Sequence, residues 1–198
     1  MALKKEKINE LYEEIELNDG INGEIVNGEI IFKKENISVK RKLIPLIDVK
    51  IEGNKIIMSS KKSTKRERKV FGSMRAHFKN IIEGLKKPFV YKLQSGSVHF
   101  PMTLKIEKDK NELHIKNFLG EKKDRIIKLH PDVEIKIDKD IIELKSADIE
   151  KAGMVAANIE KGTKIRNRDR RVFQDGIYII DKPGRSYLWK RKNKNFWE

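Results

Sequence analysis

The sequence predicts an α+β protein made of two tandem, similar αβ domains, each a small antiparallel-rich sheet packed on one main helix. Three observations lead to this fold class. Short segments of alternating apolar and polar residues, separated by turn residues, make up most of the chain. Two longer segments have the apolar spacing of an amphipathic helix. The same strand, turn, strand and helix order occurs in each half, which predicts an internal duplication.

Two hairpins are predicted before the helix of the first half. Each is predicted because an Asn-Gly or Gly-Asn pair separates two short apolar segments. These residue types adopt the left-handed backbone conformations that tight hairpin turns require. The strands lie at 24–26 and 29–32 around Asn27-Gly28, and at 48–51 and 55–58 around Gly53-Asn54.

The first helix is predicted to begin after Thr64, which forms a capping-box pattern with Glu67. Pro88 limits its continuation because proline has no backbone N–H to donate. A strand at 89–94 follows and leads to a Ser-Gly-Ser sequence at 95–97, where we expect a domain boundary. Six apolar side chains share one helical face and should be buried, namely Phe71, Met74, Phe78, Ile81, Ile82 and Leu85.

The second half of the chain is predicted to repeat this order. A helix from about Asp148 to Lys161 should end at Gly162, and a turn at 181–184 should close the domain. The predicted strands lie at 102–107, 112–117, 133–137, 141–144 and 177–180. The helical side chains expected to be buried are Ile149, Ala152, Ala156 and Ile159.

Two short segments carry the duplication in the sequence. "GNKIIMSS" and "DKDIIELKS" each precede a predicted helix, and they align Ile56 with Ile141. Sequence identity between the halves is low, so the shared order of elements is the stronger argument. We therefore predict an N-terminal αβ domain at 1–94, a C-terminal αβ domain at 95–182, and a basic, aromatic tail at 183–198.

Positive charge is abundant and unevenly distributed. Lys+Arg number 45 against 30 Asp+Glu, which gives a formal net charge of +15 and a pI ≈ 9.8. The surplus lies in residues 61–92 and 161–198, whereas residues 1–35 are acidic and 93–160 are nearly balanced. Such a surplus favours a polyanionic partner, although a basic protein that is merely soluble remains the alternative.

The residues that most chemistry needs are absent or scattered. There are no cysteines, and the four histidines do not stand at the helical spacing of metal ligands, so we expect neither a metal nor a cofactor. No P-loop, dinucleotide fingerprint or supported catalytic triad occurs, so we predict no enzyme and no small-molecule substrate. No apolar segment is long enough for a membrane span, and no signal peptide is expected.

Two basic zones are candidates for a nucleic-acid surface. The cations at 61–79 surround the start of the first helix, and they could be either a solvated face or an RNA contact. The second zone, "TKIRNRDRRVFQDGIYI" at 163–179, is richer in arginine, which binds phosphate in a bidentate manner and stacks on bases. Asp169 is spaced to orient a neighbouring arginine, and Asn167 could cap a turn.

Several motifs in order resemble one family. "RAHFKNIIEGLKKPFVYKL" (75–93), "HFPM" (99–102), "NFLGEKKDR" (117–125) and "VAANIEKGTKIRNRDRRVFQDGIYI" (155–179) are similar to the universal L-six family of large-subunit ribosomal proteins, archaeal type. The resemblance covers roughly residues 12 to 183. The family's tandem αβ fold agrees with the duplication inferred from the residues.

The resemblance implies a structural RNA-binding protein of the large ribosomal subunit, cytoplasmic and ribosome-bound. It implies contact with large-subunit rRNA, mainly through the C-terminal domain, near the factor-binding region and the sarcin–ricin loop. Neighbouring large-subunit proteins and, transiently, translation factors would be its other partners. Asp175 would orient an arginine or accept from a ribose hydroxyl. The implied RNA-binding residues are Asn117, Gly120, Lys122, Lys123, Lys164, Arg166, Arg168, Arg170, Arg171, Gln174, Gly176 and Tyr178.

The tail after Lys182 has no counterpart in the family. It carries cations and two tryptophans, so we expect it to extend the RNA-binding surface, with a disordered tail as the alternative. Its candidate RNA-binding residues, taken with the end of the last strand, are Lys182, Arg185, Lys190 and Arg191. A free-standing regulatory nucleic-acid-binding protein is the competing interpretation of the whole chain.

Overall fold

The chain divides into two compact units, Met1–Pro88 and Phe89–Glu198, in a computed structural model that describes residues 11–17, 20–35, 37–169 and 171–186. The division lies before the strand at 89–94, which the sequence assigned to the first domain. That strand belongs to the C-terminal unit because it pairs on both of its sides with strands of that unit.

The described part of the N-terminal unit contains two three-stranded antiparallel sheets and one long helix. Its elements are β1 (Leu11–Glu16), β2 (Asn22–Val26), β3 (Glu29–Lys34), β4 (Ile37–Lys42), β5 (Asp48–Glu52), β6 (Lys55–Ser60) and α1 (Lys65–Lys86). One sheet has the order β1-β6-β5 and the other β2-β3-β4. Both predicted hairpins are confirmed, as β2 pairs with β3 and β5 with β6.

Helix α1 begins and packs as predicted. The Thr64 hydroxyl accepts from the backbone N–H of Glu67, whose carboxylate accepts from the backbone N–H of Thr64 at 2.8 Å. All six side chains of the predicted apolar face are buried. The Phe78 ring contacts the Phe32 ring of β3, with centroids 5.7 Å apart.

Neither α1 nor α2 (Ile149–Gly162), the helices of the described ranges, is both long and apolar enough to cross a bilayer.

The C-terminal unit has a five-stranded and a three-stranded antiparallel sheet in its described residues. Besides α2, its elements are β7 (Phe89–Gly96), β8 (Thr103–Glu107), β9 (Glu112–Lys116), β10 (Arg125–Lys128), β11 (Glu134–Asp138), β12 (Ile141–Ser146), β13 (Gly176–Lys182) and β14 (Arg185–Ser186). The larger sheet has the order β11-β12-β7-β13-β14 and the smaller one β10-β9-β8.

Helix α2 packs on this unit's core and ends at Gly162, as predicted. Its buried face differs slightly from the prediction, because Val155 is buried and Ile149 only partly so. Thr163, which follows the helix, is 2% exposed. Its hydroxyl accepts from the backbone N–H of Ile177 at 3.0 Å and lies 3.2 Å from the carbonyl of Ile159. This threonine therefore joins the end of α2 to the start of β13.

The duplication is visible in matching side-chain contacts. β6 and β12 have the same alternation of burial over six residues. Ser60 and Ser146 end these strands, and both are buried. Each serine hydroxyl donates to a carbonyl 14 residues earlier in the chain, that of Leu46 for the first and Asp132 for the second. The two halves therefore share a local contact as well as an order of elements.

The alignment of the halves differs by one residue from the one read in the sequence. The burial pattern places Ile56 with Ile142, because both are fully buried, whereas Ile141 is 40% exposed. The sequence aligned Ile56 with Ile141 because two adjacent isoleucines occur in each segment. Only the pairing with neighbouring strands distinguishes which isoleucine faces the core.

Four of the described strands, β1, β4, β10 and β14, were not predicted. β1 carries three glutamates, β4 ends in cations, and β10 and β14 span only four and two residues. Pairing with neighbours decides such strands more than their own composition does. β13 also continues past the predicted end at Ile180, and β14 returns along it after the Pro183-Gly184 turn.

Candidate nucleic-acid interface

Three connections of the C-terminal unit carry the candidate interface. The 97–102 segment joins β7 to β8, the 117–124 loop joins β9 to β10, and the 163–175 loop joins α2 to β13. Hydrogen bonds and ring contacts link the three connections to one another. The two loops hold ten of the predicted RNA-binding residues, so the fold brings together most of the predicted site.

The 117–124 loop has a constrained backbone. Asn117, Leu119 and Gly120 have φ angles of 58°, 51° and 76°, in the left-handed region. This conformation is costly for leucine, and burial of the neighbouring Phe118 side chain, which is 1% exposed, helps to hold it. The Asn117 amide donates to the carbonyl of Pro101 at 3.0 Å, which fixes the loop to the 97–102 segment. Two exposed cations, Lys122 and Lys123, follow in the same loop.

Arg125 connects the 117–124 loop to the end of α2. Its guanidinium makes a bidentate contact with the Glu121 carboxylate, at 2.8 and 2.6 Å. It also donates to the carbonyl of Gly162 at 2.9 Å and lies 4.0 Å from the centre of the Phe118 ring. The contact with Arg125 holds the pKa of the Glu121 carboxyl below its usual value. Arg125 is therefore a structural residue that positions both loops.

The 163–175 loop presents its cations outward. Ile165 is 7% exposed and anchors the loop in the core. Asp169 organises the turn, because its carboxylate accepts from the backbone N–H of Arg171 at 2.9 Å and its carbonyl from that of Phe173 at 3.0 Å. Asp169 thus orients an arginine backbone rather than a guanidinium. The exposed cations of this loop are Lys164, Arg166, Arg168 and Arg171, while Arg170 lies outside the described residues.

Arg168, Phe173 and His99 form a stack in which Phe173 contacts both of the other side chains. The Arg168 guanidinium carbon lies 4.8 Å from the centre of the Phe173 ring. On Phe173, the His99 ring stacks with a centroid distance of 4.8 Å and an interplanar angle of 28°. A cation over an aromatic ring loses little of its capacity to donate hydrogen bonds. The stack therefore presents Arg168 in a defined orientation while leaving it exposed.

Asp175 fixes the base of this stack. It is 1% exposed, and its Oδ1 accepts from the backbone N–H groups of Val98 at 2.7 Å and His99 at 2.9 Å. Its Oδ2 lies 2.6 Å from His99 Nδ1, which donates because an ionised carboxylate can only accept. Burial alone would raise the pKa of the Asp175 carboxyl, but the hydrogen bonds from His99 and Val98 outweigh burial, and the pKa is lowered.

The role expected of Asp175 is therefore wrong. Its carboxylate binds the 97–102 segment and is too buried to accept from a ribose hydroxyl. The sequence could not show this, because His99 and Asp175 are 76 positions apart.

Gly176 and Tyr178 form one local unit. Gly176 is buried, and a Cβ built there would lie 3.1 Å from the Tyr178 ring, so any larger residue would have to displace the ring. The Tyr178 hydroxyl donates to the carbonyl of Gln174 at 3.2 Å, while the residue as a whole is 38% exposed. The Gln174 amide in turn donates to the carbonyl of Arg171 at 3.3 Å. Gly176 is thus a packing residue, whereas Tyr178 and Gln174 reach the surface.

The other predicted residues lie further along the chain. Lys182 is half-buried at the end of β13, and Arg185 is exposed in β14, so the turn between these strands presents both near the sheet edge. Lys190 and Arg191 lie outside the described residues.

The 61–79 zone of the N-terminal unit is partly neutralised. Arg75 Nε lies 2.6 Å and Lys79 Nζ 3.6 Å from the same Glu13 carboxylate oxygen of β1. Arg68 donates to the Ser63 hydroxyl at 2.9 Å. These contacts assign part of the zone to the fold of its own unit. The exposed lysines at its start, Lys61, Lys62 and Lys65, still face solvent.

One group of side chains has the composition of a metal site. Glu107, Glu112 and His114 offer ligand atoms within 4.8 Å of one another on the β8–β9 hairpin. Sequence analysis missed this group because cross-strand pairing, rather than helical spacing, brings it together. Lys110 lies 3.2 Å from the Glu107 carboxylate and supplies positive charge there. His114 Nε2 lies 3.4 Å from Glu112 and 3.6 Å from Glu107, and this buried nitrogen makes no hydrogen bond within the described residues.

Sequence analysis did not identify two residues of this interface, Arg125 and His99. Arg125 and His99 lie inside motifs that carried the family resemblance, but their contacts are with distant parts of the chain. Positioning residues of this kind have no local signature, because their partners are defined only by the fold.

The fold and the interface together define a class of protein. A duplicated αβ chain that holds exposed cations and aromatic groups on hydrogen-bonded loops has an arrangement typical of RNA-binding proteins. Comparison with known proteins gives the family. The sequence profile of the family described as "Ribosomal protein L6" matches residues 100–176, which include the whole of the 117–124 and 163–175 loops and the second half of the 97–102 segment.

Curated relatives extend the match to most of the chain. The protein named "Large ribosomal subunit protein uL6" from Methanococcus vannielii is 37% identical over 174 residues, covering 87% of this chain and 94% of the relative. The proteins of that name from Staphylothermus marinus and Haloarcula marismortui are 36% and 35% identical over 178 and 173 residues. They cover 88% and 87% of this chain, and 96% of each relative.

The chain belongs to the ribosomal protein L6 family. The family resemblance read in the sequence is confirmed, and so is the fold class of tandem αβ domains. Members of this family are structural proteins of the ribosome rather than enzymes, and the protein is accordingly ribosome-bound in the cytoplasm.

Proposed function

We propose that this protein is a structural constituent of the large ribosomal subunit and binds its rRNA through the C-terminal unit. The observation that supports this most is the arrangement of cations on the 117–124 and 163–175 loops. The side chains of Lys122, Lys123, Lys164, Arg166 and Arg171 make no hydrogen bond or ion pair to any other described residue. Exposed cations held on a rigid frame and left unpaired are suited to phosphate.

The interface contains residues that fix the backbone and residues that would contact RNA. Arg125 and Asp175 fix the backbone, so the cations do not have to be ordered when RNA binds. Arg168, stacked on Phe173, can donate in a bidentate manner to a phosphate or to a base edge. Asn117 and Gly120 turn the backbone toward the surface, and we assign to them a role in close approach of the RNA.

Further details of the proposal rest on the family resemblance. They are a position near the factor-binding region and the sarcin–ricin loop, contacts with neighbouring large-subunit proteins, and transient proximity to translation factors. We also propose that the C-terminal domain makes the main rRNA contacts and that Lys182, Arg185, Lys190 and Arg191 extend them along the tail. The exposed lysines at the start of the 61–79 zone, Lys61, Lys62 and Lys65, are a second candidate surface for RNA.

Sedimentation through a sucrose gradient tests this proposal. The purified protein, mixed with large subunits that lack it, is expected to sediment with them at low salt. Raising the salt should release it progressively, because cation–phosphate contacts depend on counterion release. A protein that stays at the top of the gradient at low salt contradicts the ribosomal proposal. Selective binding to short nucleic acids in that case would instead support a free-standing regulatory protein.

A further inference from the structure

A cleft of about 230 Å³ opens beside the 163–175 loop, where α2 ends and β13 passes. This volume is below the range typical of drug-sized ligands, so the cleft suits a smaller, planar group. The buried Ile165 and the exposed Tyr178 both line it. The lining residues are Glu160, Lys161, Thr163, Lys164, Ile165 and Tyr178.

The Tyr178 ring is fixed before any ligand arrives. One side of the ring packs on Gly176, where a Cβ would lie only 3.1 Å from it. The hydroxyl at its far end donates to the carbonyl of Gln174 at 3.2 Å. The ring nevertheless remains part of the cleft surface, and the residue is 38% exposed. A fixed aromatic ring that faces solvent stacks on a partner with little loss of side-chain entropy.

We infer that this cleft binds one unpaired base of the RNA, stacked on the Tyr178 ring. The inference rests on the proposed function and names the part of the RNA that the site reads. Stacking platforms accept any base, and in RNA they select residues in loops and bulges rather than in helices. The C-terminal unit would therefore hold an irregular element of the rRNA at this point, in addition to phosphates along the two loops.

The other lining residues suit a nucleotide better than a phosphate alone. Lys161 and Lys164 are exposed and supply positive charge for the phosphates on either side of the base. Glu160 places a carboxylate in the same cleft, where it would repel a phosphate but can accept from an N–H group on the edge of a base. The ring, the cations and the acceptor therefore match the base face, the phosphates and the base edge of a nucleotide.

The test compares Tyr178→Leu with wild type in binding to a large-subunit rRNA fragment over a range of salt concentrations. Loss of one stacked base should weaken binding about 5- to 150-fold. The slope of log affinity against log salt should stay the same, because no phosphate contact is removed. Tyr178→Phe keeps the ring and should bind within about threefold of wild type. Tyr12→Leu, at a tyrosine that is 59% exposed in the N-terminal unit, is the matched control and should have no effect.

Three results would overturn the inference. They are wild-type affinity for Tyr178→Leu, equal weakening by Tyr178→Phe, and a changed salt slope. A measurement on the wild-type protein does not depend on how the variants fold: ultraviolet crosslinking to the same rRNA should place a nucleotide adduct on Tyr178. Adducts elsewhere but none on Tyr178 would also overturn it. Failure of the wild-type protein to bind rRNA at all would count against the proposed function instead.

Discussion

Replacing Arg166 and Arg171 together by glutamate is expected to weaken binding to large-subunit rRNA at least about hundredfold. Each change removes a charged hydrogen bond to phosphate, worth about 1.5–3 kcal/mol, and adds a repulsive charge. The slope of log affinity against log salt should fall by about two, since two phosphate contacts are lost. The fold should persist, because neither guanidinium has a hydrogen bond or ion pair within the described part of the chain.

The control for this pair makes the same change of charge elsewhere in the C-terminal unit. Lys108→Glu with Lys139→Glu alters two exposed turn residues, one in the β8–β9 turn and one in the β11–β12 turn. This control should lower affinity only a few-fold through net charge. Equal loss in both double variants would mean that the overall charge, and not the 163–175 loop, drives binding. Unfolding of the Arg166 and Arg171 variant would assign these arginines a structural role.

Asp175→Ala is expected to destabilise the C-terminal unit by about 3 kcal/mol. It removes the shared acceptor of two backbone N–H groups, those of Val98 and His99, and of the His99 ring. Hydrogen exchange of β7 and β13 amides measures the loss in the C-terminal unit itself. Asp169→Ala removes an exposed carboxylate from the same loop, which accepts one backbone N–H, and should cost much less.

The effect of Asp175→Ala should depend on pH in a defined direction. The folded pKa of Asp175 lies below its ordinary value of 3.8, so its contribution to stability is complete above pH 3.8. As the pH falls further and passes through the folded pKa, the carboxylate is protonated and that contribution is lost. The difference in stability between wild type and variant should therefore be constant near neutral pH and shrink in strong acid. A difference that grows on acidification would contradict the assignment.

Local patterns predicted the parts of this fold that local chemistry decides. The capping box at Thr64 and the buried face of α1 were correct because helix periodicity and capping depend on residues close in sequence. The hairpin around Asn27-Gly28 was correct for the same reason. The alignment of Ile56 with Ile141 was off by one residue, and the domain boundary was predicted after residue 94 instead of before Phe89, because strand pairing across the sheet decides both.

The candidate interface likewise has features that local sequence predicted and features that only the tertiary fold decides. Its exposed cations were visible as a run of charge, and most of them lie on the surface of the C-terminal unit. The groups that position them were not visible. Arg125 reaches the carbonyl of Gly162, and Asp175 reaches His99, so each acts over tens of residues that only the tertiary fold brings together. Charge patterns therefore predicted which cations are exposed, whereas the contacts that position them could be seen only in the structure.

In the proposed function, the 97–102 segment and the 163–175 loop face rRNA in the assembled subunit. The chain has no cysteine, so single cysteines can carry a tethered iron chelate that cleaves nearby RNA. Val98 and Val172 are 67% and 60% exposed, and neither belongs to the proposed cation set. Lys108 is the control site, because it follows β8 whereas the 97–102 segment precedes it. β8 has 5 residues and is therefore roughly 17 Å long, which separates the two sites.

We expect probes at Val98→Cys and Val172→Cys to cleave overlapping stretches of large-subunit rRNA in reconstituted particles, and more strongly than the probe at Lys108→Cys. Overlap is expected because Asp175 joins the two connections directly, through the backbone N–H of Val98. Strong cleavage from position 108 with none from positions 98 and 172 would contradict the account, since it would place the RNA at the other end of the unit.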